Sequence, residues 1–280
     1  MNKVYKVISE RIEARLQEGV APWRKPWVPV IPFNMVSRKQ YRGTNVFMCW
    51  MSEFEYPGWL SFKQLTAMGG NVKGQKGTPI TFWNWFNKPD PTPDDPDNVK
   101  RIPFLRYYTC WNGEQVSGID LPTVPGREHE PIAECERIVE GYENAPPVRI
   151  NGNRAYYSPS NDIVGMPPTN TFASDASYYA TLFHEYAHST GHSSRLNRFD
   201  PSVHDQFGSA SYSEEELTAE LTASFLAGVA GVERETIDNT AAYCQGWLRA
   251  LQDDKQMFVL AAQRAQKAAD HILGTTFEQA

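Results

Sequence analysis

The sequence predicts an α+β protein of two domains, the first α+β and the second mainly helical. Three observations carry that prediction. Apolar residues recur every four positions over 2–18, two runs rich in aromatic and β-branched residues lie between 76 and 111, and helix-capping patterns crowd the chain beyond 174. With 280 residues the chain suits two domains of ordinary size. An apolar fraction of 41% excludes a disordered chain, and no apolar run approaches the roughly 20 residues of a membrane span. Glu10, Arg11, Glu13 and Arg15 stand where a signal peptide would be apolar, and Cys49, Cys110, Cys135 and Cys244 show no paired spacing, so a cytoplasmic protein with reduced thiols is expected.

The elements follow in order. Val4, Ile8, Ile12 and Leu16 lie four apart among charged residues, with Gly19 beyond, which predicts an amphipathic helix over 2–18. Ser61 and Gln64 form a capping-box pattern for a short helix to Met68, stopped by Gly69 and Gly70. T-P-I-T-F-W-N-W-F (78–86) and R-I-P-F-L-R-Y-Y-T-C-W (101–111) predict two paired strands around the acidic Pro-rich segment 89–97, with Asn112-Gly113 as a turn. Short strands are expected over 155–158 and 162–166. Ser174 opens a helix that carries H-E-Y-A-H (184–188) and ends at Gly191, and a further helix opens at Ser213 and runs to about Val229. Two more helical stretches, 241–252 and 255–273, read as scaffold.

Charge divides the chain near Pro122–Gly126. Residues 1–125 carry 16 Lys and Arg against 11 Asp and Glu, net +5, whereas residues 126–280 carry 11 against 22, net −11. Within 1–88 the balance is 13 against 5, net +8, and seven of the eight Trp precede position 126. A basic domain over 1–125 and an acidic one over 126–280 are therefore expected. Cations and aromatics interleave most densely in Trp23-Arg24-Lys25-Pro26-Trp27 and in 37–45, with Arg38, Lys39, Tyr41, Arg42 and Asn45. Such loops suit a flexible single strand of nucleic acid: rings stack on bases and cations neutralise phosphates, neither contact demanding sequence. The competing reading is a Trp-rich core beneath a solvated basic face.

In the acidic half, His184 and His188 are four apart on one helix, so both imidazoles can reach one metal ion, and Glu185 is placed to act as a general base on water there. A catalytic zinc needs a third protein ligand. Ser194 occupies the position a metzincin would give to histidine, which excludes that class. Glu216 is the best candidate, with Glu220 on the same face of its helix to hold a ligand imidazole from behind; Glu215, Glu220, His192 and His204 stay open as alternative ligands. Ser213 and Glu216 also have the form of a capping box, which needs no metal. Tyr186 is expected to pack within the protein, and Tyr178, Tyr179 and Tyr212 are candidates to stabilise an oxyanion.

Taken together, W-R-K-P-W (23–27), S-R-K-Q-Y-R-G-T-N (37–45), S-F-K-Q-L (61–65), G-G-N-V-K-G-Q-K-G (69–77), L-F-H-E-Y-A-H-S-T-G-H-S-S-R-L-N-R (182–198) and E-E-L-T-A-E-L (215–221) resemble the ArdC-type antirestriction proteins of conjugative plasmids. The resemblance implies an N-terminal domain that binds single-stranded DNA and a C-terminal zincin-like metallopeptidase domain. It adds Lys73 and Lys76 to the candidate DNA contacts, and it supports Glu216, because E-L-T-A-E (216–220) is similar to a zincin pattern whose first Glu binds zinc. The expected function is protection of incoming DNA from host restriction during conjugation, with one Zn2+ ion. The expected partners are single-stranded DNA and, beyond it, a protein substrate or a restriction enzyme. A metalloprotease that acts on DNA-bound proteins is the alternative.

Overall fold

The computed structural model describes residues 3–23, 30–90, 99–124, 130–199, 210–232 and 241–275, without the side chains of 210–212 and 241. The first helix, α1 (Lys3–Gln17), buries Val4, Ile8, Ile12 and Leu16, as their spacing requires. A short strand β1 (Phe33–Asn34), helix α2 (Thr44–Trp50), strand β2 (Gly58–Ser61) and helix α3 (Phe62–Ala67) follow. At the start of α3 the Gln64 amide donates to Ser61 Oγ and the Ser61 amide to Gln64 Oε1, the reciprocal cap that the sequence predicts.

Strands β3 (Thr78–Pro89) and β4 (Val99–Asn112) pair antiparallel over their whole length, from Thr78 opposite Cys110 to Pro89 opposite Val99. They complete a sheet of order β1-β2-β4-β3 in which only β1 and β2 are parallel. The root of this ribbon is buried through Ile80, Leu105 and Cys110, and the rest projects with its side chains exposed. Asn112 ends β4 by capping a 3-10 turn over Gly113–Gln115.

The second half opens with α4 (Pro131–Gly141) and a three-stranded sheet of β5 (Val148–Ile150), β6 (Tyr156–Ser158) and β7 (Ile163–Met166), ordered β5-β7-β6. Helices α5 (Asp175–Ser189), α6 (Ala210–Ala230), α7 (Ala241–Asp253) and α8 (Met257–Ile272) complete it. Helix α6 lies between α5 and α8. It begins before Ser213, so Ser213 and Glu216 sit inside the helix rather than at its cap, and the Glu216 side chain is available for other work.

The core does not stop where the charge changes sign. One continuous cluster runs from Ile8 and Ile12 of α1 through Trp23, Phe47 and Trp59 to Phe183, Phe225 and Phe258. The buried face of α1 lies on α7 and α8, and α2 also meets α8. A smaller cluster of Met35, Leu60, Leu65 and Val116 sits under the first sheet. No helix among the described residues is long and apolar enough to cross a membrane.

Candidate metal centre and nucleic-acid surface

Helix α5 is capped by Ser174, whose Oγ accepts from the Ser177 amide at 3.1 Å, and its four-residue spacing puts His184 and His188 on one face. Their Nε2 atoms stand 3.1 Å apart. From α6, Glu216 reaches in with one oxygen 3.4 Å from His188 Nε2 and the other 3.7 Å from His184 Nε2. One ligand atom from each of the three lies within 4.8 Å of the others. Two ligands at about 2.0–2.2 Å on a tetrahedral ion stand about 3.3 Å apart, so two imidazoles and a carboxylate at these separations fit one divalent ion.

Behind His188 the structure places Glu215, a carboxylate that the sequence offered only as an alternative ligand. His188 Nδ1 donates to Glu215 Oε1 at 3.3 Å, which orients the ring and leaves Nε2 facing the cluster. Glu215 is in turn held by both arms of Arg198, Nε to Oε2 at 3.1 Å and Nη2 to Oε1 at 2.7 Å. Arg198 also donates to the Ala187 carbonyl at the end of α5. The chain returns there because it folds back after Gly191, where a Cβ would lie 2.5 Å from the Phe199 ring. Glu220, expected behind a ligand imidazole, accepts from the Tyr243 hydroxyl at 3.3 Å. The sequence signal for Arg198 was its place in the R-L-N-R run after the histidines, but nothing in the spacing shows which carboxylate it meets.

The charges follow from these contacts. Burial alone would lower the His188 pKa, but the hydrogen bonds and charges of Glu215 and Glu216 outweigh it and push it up to about 10, so that a proton competes with a metal ion for this site. Burial would raise both glutamates; hydrogen bonding to His188 reverses that, aided by Arg198 for Glu215 and by His184 for Glu216. Glu185 is buried, and burial pushes its carboxyl up to about 7, against the opposing pull of the His188 charge. The charge of Glu216 raises it further, while the backbone N–H of Tyr157 at the centre of β6 hydrogen-bonds to it and lowers it. Among the described residues β6 is an edge strand of its sheet, so the candidate base lies beside a strand edge.

The other candidates fall in several places. Tyr186 packs edge-on against Tyr142. Tyr178 and Tyr179 pack edge-on against each other, and the Tyr212 side chain and His204 lie outside the described residues. His192 Nδ1 meets the Ser194 hydroxyl at 2.8 Å.

The expected nucleic-acid contacts divide more sharply. Arg38, Lys39, Lys73 and Lys76 are exposed, and the Arg38 guanidinium lies over the Phe33 ring. Arg24, Lys25 and Trp27 lie outside the described residues. Trp23 must be corrected: it is 0% exposed, its indole N–H donates to the Tyr243 hydroxyl at 3.0 Å, and it packs on Trp247 and Phe258. A ring with no accessible face cannot stack on a base. Tyr41 is likewise buried, its hydroxyl 3.6 Å from Cys110 Sγ. Arg42 forms an ion pair with Asp270 of α8, and Asn45 anchors the root of β3 through the Thr81 amide and carbonyl at 2.7 and 2.8 Å. These three serve the fold. What the sequence reading missed is the outer part of the β3–β4 ribbon, where Trp85 and Phe86 are 49% and 56% exposed. The alternating aromatics were legible there, but not that both faces lack a covering layer.

Comparison with known proteins matches residues 2–111 to the N-terminal domain of anti-restriction factor ArdC and residues 134–264 to a zincin-like metallopeptidase. The chain is 33% identical to DNA primase TraC of Escherichia coli over 98% of its own length, but it spans only 20% of that protein. It is 32% identical to the uncharacterized protein y4eC of Sinorhizobium fredii, covering 95% of this chain and 90% of that one. Crystal structures of the antirestriction protein ArdC from plasmid R388 match over 96% of this chain. The metal-free form is 37% identical with a TM-score of 0.74, and the Mn(II)-bound form 36% identical with a TM-score of 0.76. An ArdC N-terminal domain followed by a zincin-like domain, over nearly the full length of a solved ArdC, places this chain in the ArdC family of antirestriction proteins.

Proposed function

We propose that this protein shields DNA entering a cell by conjugation from host restriction, binding it as a single strand with little regard for sequence, and that it holds one zinc ion in the cytoplasm of the recipient. The basic half, 1–125, meets DNA; the acidic half, 126–280, carries the metal. The observation that supports this most directly is a set of three ligand atoms within 4.8 Å in a chain that matches ArdC over 96% of both lengths.

His184, His188 and Glu216 would hold the ion, and two imidazoles with a carboxylate are a donor set that zinc accepts. Bound there, zinc supplies a Lewis acid able to polarise a carbonyl. Glu185, buried and with its carboxyl near neutrality, takes a proton from water and returns it to a leaving amine. Glu215 and Arg198 keep His188 in one tautomer.

The intact Glu185 and the edge strand beside it favour a second reading, in which the protein cleaves proteins on DNA and the basic half only recruits it. Glu185→Ala separates the two in a transfer assay into a restricting host: protection that persists with metal still bound assigns the activity to binding, and its loss assigns it to proteolysis. Metal analysis of Glu216→Ala tests the ligand set. Zinc retention is expected to fall at least ten-fold, and full occupancy would remove Glu216 from it. A third partner, a restriction enzyme occupied by the acidic half, rests on the −11 charge alone and would require a complex that duplex DNA displaces.

A further inference from the structure

The β3–β4 ribbon carries a chemistry that neither its fold nor the metal centre uses. The pairing register assigns its side chains to two faces, since directly paired residues point the same way and alternate along each strand. One outer face bears Phe82 opposite Arg106, Phe104 opposite Asn84, and Lys88 opposite Lys100, with Phe86 between them. The Arg106 guanidinium already lies over the Phe104 ring, 4.8 Å from its centroid. The other face bears Trp83 and Trp85, with Arg101 over Trp85 at 5.0 Å. Neither strand contains a carboxylate. Asn45 and the buried Ile80 and Leu105 hold the root rigidly to the body.

From this geometry we infer that the Phe82–Phe86–Phe104 face of the ribbon is the platform on which single-stranded DNA stacks, with Lys88, Lys100 and Arg106 on its phosphates. The inference rests on the proposed DNA-binding function and gives it a place. Same-face residues recur about every 7 Å along a strand, twice the 3.4 Å helical rise of a DNA strand, which suits an extended chain with its bases drawn apart. A duplex has its base faces covered already, so exposed rings on the ribbon favour the single strand. The four aspartates within 90–97 lie between Lys88 and Lys100 in the chain and oppose their charge, so Arg106, farther along β4, is the cation of this face that they offset least.

The test uses the full chain and fluorescently labelled oligonucleotides. Phe82→Ala with Phe86→Ala removes two exposed rings and, with them, the contact of Phe82 with Tyr108, so thermal unfolding should shift little while affinity for a single-stranded DNA oligomer falls about ten-fold or more. Lys100→Gln with Arg106→Gln should reduce the slope of log affinity against log salt by about 1.4. Duplex DNA should bind more weakly than the single strand, and equal affinity for the two would overturn stacking on the rings. Wild-type affinity in both variants overturns the platform and leaves DNA binding in place; loss only in a Trp83→Ala, Trp85→Ala variant moves the platform to the other face and overturns the assignment made here. No binding of single strands by the wild-type chain at low salt overturns both the inference and the function it rests on. Altered self-association with unaltered DNA affinity makes the ribbon a contact between copies and overturns it as well.

Discussion

Trp23 precedes Arg24, Lys25 and Trp27 in the chain and looks like a stacking ring, yet it is a buried wedge between α7 and α8, hydrogen-bonded to Tyr243, which in turn bonds to Glu220. Removing it leaves a large cavity, so Trp23→Ala is expected to cost about 3–5 kcal/mol of stability. The denaturant midpoint measures this; a shift under about 1 kcal/mol would mean the indole is not packed as described. Glu215 lies next to the ligand Glu216 and looks like its rival. A step of one residue turns a helix by about 100°, so Glu215 meets His188 Nδ1 and Arg198 while Glu216 faces the Nε2 atoms.

At the scale of elements, the site depends on how α5 is fastened to the small sheet. Arg195, just beyond α5, is almost fully buried and donates to the carbonyls of Ser189 and Asn144, to the Tyr157 hydroxyl, and to the Asp162 carboxylate. The bond to Asp162 ties the end of the helix to the turn between β6 and β7. Burial would raise the Asp162 pKa, but the hydrogen bonds from Arg195 and Tyr157 and the Arg195 charge outweigh it, so the net shift is downward. A carboxylate whose folded pKa lies below its unfolded value of about 3.9 contributes stability that is complete above that value and is lost as pH falls through the folded one. Asp162→Asn should therefore flatten the acid side of the stability profile measured by urea unfolding between pH 5 and pH 3. Parallel profiles for the two proteins would show that the pair does not couple to folding. Asn is a fair probe because Asp162 has φ 47°, a conformation Asn tolerates.

For the whole molecule, the shared core decides behaviour that the charge map does not. Ile8 and Ile12 lie in the same cluster as Phe225 and Phe258, and Arg42 pairs with Asp270 across the charge boundary. The two matched domains should therefore unfold together. Tryptophan fluorescence and far-UV circular dichroism are expected to give one coincident denaturant transition, and two separated transitions would show that the halves are independent.

The sequence by itself determined the pieces whose information is local. The four-residue spacing in α1, the Ser61–Gln64 and Ser174 caps, the alternating ribbon and the two histidines of α5 are each set by backbone periodicity or by a bond within one turn. Helix α2 escaped it, because T-N-V-F-M-C-W is buried almost throughout and shows no polar face to mark its period. Tertiary structure alone decided which aromatic rings are covered, which carboxylate orients His188, and that α1 caps the helices of the other half. Burial and side-chain pairing are set by what the fold brings from far along the chain, and no window of local sequence contains the partner.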